Sequence, residues 1–418
     1  MRIFKKLWWA LKLQFARIYY GNPAAKLKII GVTGTNGKTT TTTLLYKVAT
    51  TLGYKAGLIG TVEILINGHK YEPMGKVPAT TPDSITLTRV FAEMVKAGCE
   101  YVFMEVSSHA VVQNRIAGIK FAGGVFTNLT HDHLDYHKTF NNYFNAKKKF
   151  FDGLPVSSWA LANADDEYGK RILEDTKAEP FYYGFEYQKQ TNPNGPVNRD
   201  FFGSIEKLDA SGIKMKINNH YDINTHLIGK FNAYNFLAVF GTISLLGFDI
   251  EKALHILENV EPPRGRFERY TGKNGVIGII DYAHSPDAME NVLSTVRQVI
   301  GHGRIISVFG CGGDRDPAKR SAMGKIGANL SDIAIFTSDN PRSENPDEII
   351  KQMQSELDEE LNKKVIILPE RRAAIKTGAS LAKPGDVLII MGKGHETYQE
   401  INGVKHHFDD MEELRYVL

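Results

Sequence analysis

The stretch Lys28-Ile-Ile-Gly-Val-Thr-Gly-Thr-Asn-Gly-Lys-Thr-Thr40 constrains this chain most, because a buried-type strand runs without a break into a glycine-rich turn ending Gly37-Lys38-Thr39. Such a turn holds the phosphates of a nucleotide. Glycines let backbone N–H groups face an anion, Lys38 brings charge to the β/γ-phosphates, and the Thr39 hydroxyl can ligate Mg²⁺. A helix expected to start near Thr40 points its positive end at the same place. The general pattern wants its first glycine where this chain has Val32, with Gly31 and Gly34 on either side, so the match is to a variant. Gly34, Thr35, Asn36, Gly37, Lys38, Thr39 and Thr40 are the candidate phosphate-binding residues, and ATP or GTP is the expected ligand.

At 418 residues the chain is too long for one ordinary core, and two or three domains are expected. Cys99 and Cys311 are the only cysteines, so no disulfide framework is implied and a reducing cytoplasm fits; Cys311, though in a glycine-rich loop, reads as a small structural thiol rather than a reactive one. The formal charge of +4 is modest, and no long basic stripe interleaved with aromatics follows the N-terminus, so nucleic acid is not a suggested partner. Residues 1–26 differ from the rest, with Arg2, Lys5, Lys6, Lys12, Arg17 and Lys26 and no acidic residue. Phe4, Leu7, Trp8, Leu11, Phe15 and Ile18 recur at helical spacing, which reads as a basic amphipathic helix. It has no apolar run long enough to span a bilayer and no signal-peptide cleavage site. Two placements fit it: packed on the body of the protein, or resting on an anionic membrane face through Trp8, Trp9 and its lysines.

Continuous apolar runs follow at Tyr101 to Val106, Gly124 to Asn128, Gly275 to Asp281, Arg304 to Phe309, Ile333 to Phe336 and Asp386 to Met391. Runs of this kind belong to strands buried on both faces, hence to parallel α/β sheets. Two prolines in Glu261-Pro-Pro-Arg-Gly-Arg266 cannot continue the preceding helix, Glu251 to Glu258, and place a domain boundary there. The polar stretch from Glu186 to Asn224 reads as loops and short strands rather than core. In open parallel sheets ligands gather beyond the carboxyl ends of strands. Glu105 sits at one such end, and Asn128, His131, Asp132, His133, Asp135 and His137 at and after the next. Asp281 to His284, Asp314 to Asp316, the Asp339-Asn-Pro-Arg342 turn and the Gly392-Lys-Gly-His-Glu396 loop occupy the same position in the second set of strands, suggesting a second binding face that closes on the first.

Ten segments together resemble the Mur ligases, most closely the MurE branch that extends a muramyl dipeptide: Gly34 to Thr39, Thr80 to Asp83, Met104 to His109, Phe126 to His137, Gly229 to Asn235, Gly265 to Glu268, Asp281 to Asp287, Gly310 to Asp316, Asp339 to Arg342 and Gly392 to Glu396. The resemblance runs from about Leu27 to the C-terminus. It implies an α/β fold: a P-loop parallel-sheet central ATPase domain over residues 27–262, then a Rossmann-like C-terminal domain over 263–418, with residues 1–26 as the basic helix ahead of them. It implies that a substrate carboxylate attacks the γ-phosphate of ATP and that the acyl phosphate is trapped by an incoming amine. Lys38 and Thr39 would hold the phosphates and the first Mg²⁺, Glu105 would ligate metal, and His133 a second Mg²⁺. Ala146-Lys147 matches a motif whose lysine is carbamylated and supports that second metal. Asn128 belongs to the same nucleotide-binding set; Asn232 and Asn235 resemble adenine contacts, and Arg266, Asp281 and His284 the C-terminal contributions to ATP. Thr80, Thr81, Ser107 and Arg115 would face the muramyl peptide. The Asp339-Asn340-Pro-Arg342 signature is similar to that of members that add meso-diaminopimelate. Arg342, with Arg315, can grip a distal carboxylate that lysine lacks, and Glu396, beside Gly392, can pair with the distal ammonium.

The resemblance also raises an expectation about the N-terminus. Members of this branch carry a UDP-binding domain ahead of the ATPase strand, and here 26 residues precede it. Three readings follow: the helix and central domain bind the same substrate differently, a partner chain supplies the surface, or the acceptor is a different or membrane-linked one. Besides a cytoplasmic ligase, placed in the last case at the inner membrane face, a non-catalytic nucleotide-gated binding protein is the competing class. The complete set Lys38, Thr39, Glu105, His133, Lys147 and Asp281 favours the enzyme.

Overall fold

The computed structural model describes residues 18–73, 80–186, 200–209 and 211–418. Most of the basic helix expected over 1–26 lies outside these, and so do the readings attached to it. The first unit is built on one large sheet of strands β1 (Lys28–Thr33), β2 (Ala56–Ile59), β3 (Ile64–Ile66), β4 (His69–Lys70), β5 (Tyr101–Glu105), β6 (Phe121–Phe126), β7 (Trp159–Asn163), β8 (Glu179–Gly184), β9 (Phe201–Asp209), β10 (Gly212–Ile217) and β11 (Tyr221–Thr225). Their spatial order is β11-β10-β9-β8-β7-β6-β1-β5-β2-β3-β4. The centre is parallel, with β1 between β5 and β6. Both edges turn antiparallel, through β3–β4 on one side and β9–β10–β11 on the other.

The continuous apolar strands are buried on both faces, because alternate residues enter different cores. Ile30, Val32 and Phe103 pack with Leu44, Leu45 and Val48 of the helix Lys38–Thr51 and with Phe236 and Phe240 of the helix Lys230–Leu245. Ile29, Val102 and Met104 pack on the opposite side against Val90, Phe91 and Met94 of the helix Ser84–Lys96 and Phe150 and Phe151 of the helix Phe140–Asp152. A run apolar at every position is what such a two-sided strand requires.

The polar stretch after Glu186 departs from the reading given above. From Phe201 it forms the β9–β11 meander, and Ile213, Met215, Ile217 and Ile223 are fully buried in the first of these cores. Its apolar residues alternate with Lys214 and Lys216, the period of a strand with one face on the core and one in water. Charge on the outer face masked that alternation.

The second unit carries β12 (Glu268–Thr271), β13 (Ile277–Asp281), β14 (Ile305–Phe309), β15 (Ile333–Phe336), β16 (Val365–Ile367) and β17 (Val387–Met391), in the order β12-β13-β17-β14-β15-β16. All pairs are parallel except β12 with β13. Helices Pro286–Val299, Ala318–Leu330 and Pro346–Gln354 cover one face, and helices Arg371–Leu381 and Asp410–Val417 the other. A hairpin, β18 (Tyr398–Ile401) with β19 (Val404–His407), follows.

Arg371 fastens the carboxyl ends of this second sheet. Its guanidinium is buried, bonds both oxygens of Asp410 at 2.8 and 2.7 Å, and donates to the carbonyls of Met391 at 3.0 Å and Ser338 at 3.5 Å. The ends of β15 and β17 are thereby held to the C-terminal helix. Removing one partner leaves a charge buried without compensation. Arg371→Met is therefore expected to destabilise the protein by about 3–5 kcal/mol, with much of that loss recovered in the Arg371→Met/Asp410→Leu double variant; chemical denaturation of the three proteins checks it, and a single variant as stable as wild type would contradict it.

Candidate active site

The phosphate loop is shaped by two glycines. Gly37 adopts φ 84° and Gly34 φ 155°. A Cβ at Gly34 would stand 1.8 Å from Thr127 Oγ1, and one at Gly37 would stand 2.4 Å from Asn235 Oδ1, so neither position tolerates a side chain. The helix begins at Lys38, earlier than the expected Thr40, because left-handed Gly37 ends the turn directly before it. The neighbouring loop after β6 holds this turn from behind. Asn36 N–H donates to Asn128 Oδ1 at 2.8 Å, Thr35 N–H donates to Asn128 O at 2.9 Å, and Thr127 Oγ1 donates to Asn36 O at 2.6 Å.

Lys38 folds over the turn, its Nζ donating to the carbonyls of Gly34 at 3.0 Å and Thr35 at 2.7 Å. Burial lowers its pKa while Glu105 opposes the shift. Thr39 Oγ1 donates to Glu105 Oε1 at 2.9 Å. Glu105 is fully buried and also accepts from Thr61 N at 2.8 Å and Thr61 Oγ1 at 2.9 Å. The candidates for the acceptor peptide gather alongside. Thr81 Oγ1 donates to Glu105 O and accepts from Ser107 N–H, Thr80 Oγ1 lies 3.0 Å from Thr61 Oγ1, and Arg115 Nη1 donates to Thr81 O at 2.7 Å. Arg115 is committed further, since its Nε and Nη2 both bond Gln113 Oε1.

Between the two units opens a cavity of about 400 Å³, lined by Asn36, Gly37, Thr40 and Asn128 from the phosphate side, Asn232 and Asn235 from the helix Lys230–Leu245, and Arg266, Asp281 and His284 from the second unit. These candidates, far apart in sequence, thus share one cleft. Arg266 crosses it: its Nη2 donates to Thr39 Oγ1 at 3.1 Å, its guanidinium lies over the Tyr282 ring, and its Nε is buried with no protein partner. A buried donor without a partner next to a glycine cradle suits an anionic ligand. Asp281 serves the backbone instead, with Oδ2 accepting from Phe267 N–H and Oδ1 from Ala283 N–H, both at 2.7 Å. His284 is turned by its Nδ1 contact to Tyr282 O, and burial lowers its pKa.

The second constellation surrounds the carboxyl ends of β15 and β17. Asn340 Nδ2 donates to Glu396 Oε2 at 2.8 Å, while Lys393 Nζ, fully buried, donates to Asn340 Oδ1 at 3.1 Å and Glu396 Oε2 at 3.2 Å. Burial, reinforced by Asp339, raises the Glu396 pKa against the pull of Lys393. Asp339 Oδ2 is buried without a partner and lies next to Gly392, where a Cβ would approach it to 2.5 Å. Arg342 adopts φ 52°, donates to Gly313 O at 2.7 Å, and, like Arg315, lies close to Gly312.

Residues 32–243 match the Mur ligase middle domain, and residues 265–394 match the Mur ligase glutamate ligase domain. The chain belongs to the Mur ligase family. It is 48% identical over 392 residues to UDP-N-acetylmuramoyl-L-alanyl-D-glutamate–2,6-diaminopimelate ligase of Cytophaga hutchinsonii, covering 94% of this chain and 78% of that protein. The protein of the same name from Parabacteroides distasonis is 49% identical over 411 residues, covering 98% and 81%. A solved structure of a ligase of that name superimposes with a TM-score of 0.63 at 30% identity, over 94% of this chain and 78% of that one. Mycobacterium tuberculosis folylpolyglutamate synthase, at 17% identity and a TM-score of 0.74 over 91% and 92%, shares the fold.

In this Mur ligase the loop after β6 divides. Asp132 and His133 turn toward the phosphate loop, whereas His131 and Asp135 are exposed and His137 is buried, its Nε2 2.9 Å from Ser108 Oγ. His133 takes a left-handed φ of 56° with its Nε2 3.5 Å from Asp132 Oδ2. Burial, reinforced by His109, Lys147 and Lys38, lowers its pKa to about 3 against the pull of Asp132. Lys147 is buried, and its Nζ donates to Gly34 O at 2.6 Å, the same carbonyl that Lys38 uses. Burial first, and Lys38 second, push its pKa well below the ordinary value. Both cysteines are buried, with burial raising Cys99 to about 11 and Cys311 to about 12, so neither is a thiolate near neutrality.

Sequence reasoning missed Thr61, Thr127, Thr130, Asp287 and Lys393. Lone threonines carry no spacing signal. Thr127, Thr130, Asp287 and Lys393 all lay within the segments named above, but nothing there marked their contacts or burial, which only the fold supplies.

Because the folded protein disfavours a charged Lys147, folding releases its proton, and the resulting cost grows as pH falls from 10.5, the ordinary lysine value, toward the lower folded value. Lys147→Met is therefore expected, in bicarbonate-free buffer, to be more stable than wild type by about 1–3 kcal/mol near neutral pH, with the gain vanishing at high pH, and to lose ligase activity. Thermal unfolding across pH checks it; a variant less stable than wild type at every pH would contradict the cost assigned to the amine.

Proposed function

We propose that this Mur ligase is an ATP-dependent, ADP-forming amide ligase that joins meso-diaminopimelate to the D-Glu carboxylate of UDP-N-acetylmuramoyl-L-Ala-D-Glu in peptidoglycan synthesis, acting in the cytoplasm. The observation that carries the reading is the pairing of two sites on one molecule: an anion cradle in the cleft between the units, and a second constellation that sets Arg342 and Arg315 near Gly312 and leaves Asp339 Oδ2 buried without a partner beside Gly392. The names of the relatives at 48–49% identity support the same substrates.

In this reading the glycine turn, Lys38 and Thr39 hold the β/γ-phosphates, while Asn232 and Asn235 receive the adenine. Arg266 and His284 approach from the second unit, and Asp281 shapes the Phe267 and Ala283 backbone around them. Thr39 Oγ1 and the Glu105 carboxylate are oxygen donors 2.9 Å apart, a fit for Mg²⁺, which takes one or two protein ligands and completes its shell with phosphate and water. Bound there, Mg²⁺ would neutralise charge developing on the transferred phosphoryl group. His133 and Lys147 are assigned to the second metal. Lys147 suits carbamylation because a neutral amine is the form that attacks CO₂, forming the N–C bond of a carbamate and releasing one proton. Thr80, Thr81, Ser107 and Arg115 border the acceptor. Arg342 and Arg315 grip the distal carboxylate of diaminopimelate, and Glu396 its ammonium.

Phosphate release from ATP is expected to require both UDP-N-acetylmuramoyl-L-Ala-D-Glu and meso-diaminopimelate, with L-lysine a poor substitute. Release that ignored the acceptor, or that lysine supported equally, would refute the substrate assignment. Arg342→Ala is expected to cost about 2–5 kcal/mol in kcat/KM for diaminopimelate, with the KM for ATP nearly unchanged. Steady-state kinetics with each substrate varied in turn checks it, and equal losses for every substrate would give Arg342 a structural role.

A further inference from the structure

The phosphate loop is contacted from the second unit at both ends. At Thr39 the visitor is Arg266, already placed in the nucleotide site. At Asn36 it is Asp287, in the first turn of the helix Pro286–Val299. One oxygen of that carboxylate, Oδ2, accepts from Asn36 Nδ2 at 2.9 Å and from Thr130 Oγ1 at 3.2 Å. Asn36 belongs to the turn after β1 and Thr130 to the loop after β6, so a single acceptor on the second unit joins the two loops that form the cradle. Thr130 in turn donates its N–H to Thr35 Oγ1 at 3.0 Å. With its backbone held by Asn128 and Thr127, Asn36 has its side chain fixed by Asp287 alone among the hydrogen bonds described. A carboxylate in the first turn of a helix is favoured by the helix dipole.

We propose that Asp287 is a positioning residue that latches the second unit onto the phosphate loop, so that the cradle takes its nucleotide-holding shape only while the units are docked. The inference rests on the nucleotide reading of that loop. It makes the energy of docking part of the energy of nucleotide binding, through an Asp287 that lines the cavity wall with its Oδ2 committed to the two loops. A hydrogen-bond latch needs an acceptor at this point, not a charge, so the amide oxygen of Asn can serve.

Equilibrium binding of ADP to the whole protein, followed by calorimetry, tests the latch. Asp287→Ala is expected to weaken binding by about tenfold and Asp287→Asn by no more than about threefold. Asn36→Ala combined with Asp287→Ala is expected to bind no worse than Asp287→Ala alone, because the Asn36–Asp287 contact is already lost in that single variant. Asp287→Ala binding like wild type, Asp287→Asn as weak as Asp287→Ala, or losses that add in the double variant would each overturn the latch. Wild-type protein that bound no ADP would instead remove the nucleotide reading and the latch with it.

Discussion

Two buried lysine amino groups converge on one backbone carbonyl, and the rest of the active centre is arranged around the cost of charging them. Lys38 and Lys147 both donate to Gly34 O, and each has its pKa lowered, chiefly by burial. Taking cations out of water is costly unless anions compensate. Glu105 supplies part of that compensation to Lys38, and Asp132 part to both. A polyphosphate entering the cradle would supply more, since its charge would replace a carbonyl as the partner of Lys38. On the proposed reading, the burial cost borne by the unliganded protein favours an anionic ligand. This is preorganisation in the sense relevant to phosphoryl transfer, where positioning and charge stabilisation outweigh covalent participation by the protein.

Glu105 links that cradle to the acceptor side. Its carboxylate collects Thr39 and Thr61, its main-chain carbonyl collects Thr81, and Thr81 in turn orients Ser107 and Arg115. A shift of the phosphate loop is felt through one buried side chain by the residues assigned to the muramyl peptide. The strand order explains why this compactness is available. With β1 flanked by β5 and β6, the three loops that leave their carboxyl ends are neighbours in space although residues 34, 105 and 128 are distant in sequence.

Much of this was legible in the sequence because it is written in periods and turns. Ile29 and Ile30 enter opposite cores, and that alone forces a strand to be apolar at consecutive positions. Gly34 and Gly37 are needed where a Cβ would collide, so the loop is written in glycine. The β9–β11 meander was misread because Lys214 and Lys216 on its wet face dilute the apolar signal. Asp287 escaped for a different reason. Its partners, Asn36 and Thr130, lie 251 and 157 residues away, and contacts between units leave no local pattern. Arg115 shows the converse limit: its chemistry was readable, but its engagement with Gln113 was not.

The two constellations differ in how firmly they are held, and the difference follows from what each must bind. The second is rigid: Arg371 and Asp410 anchor the strand ends, Lys393 and Asn340 fix Glu396, and Arg320 ties Glu344 to the loop that carries Arg315. Discriminating one amino acid from another by a distal carboxylate requires such fixity, because a mobile guanidinium would tolerate its absence. The nucleotide cleft is instead shared between units that meet through few polar contacts, Arg266 with Thr39 and Asp287 with Asn36 and Thr130 among them. On the proposed reading, a ligand that fills this cleft adds to the docking energy of the units. In the same reading, amino-acid selectivity is carried by the tightly bonded constellation and nucleotide binding by the cleft that the two units share.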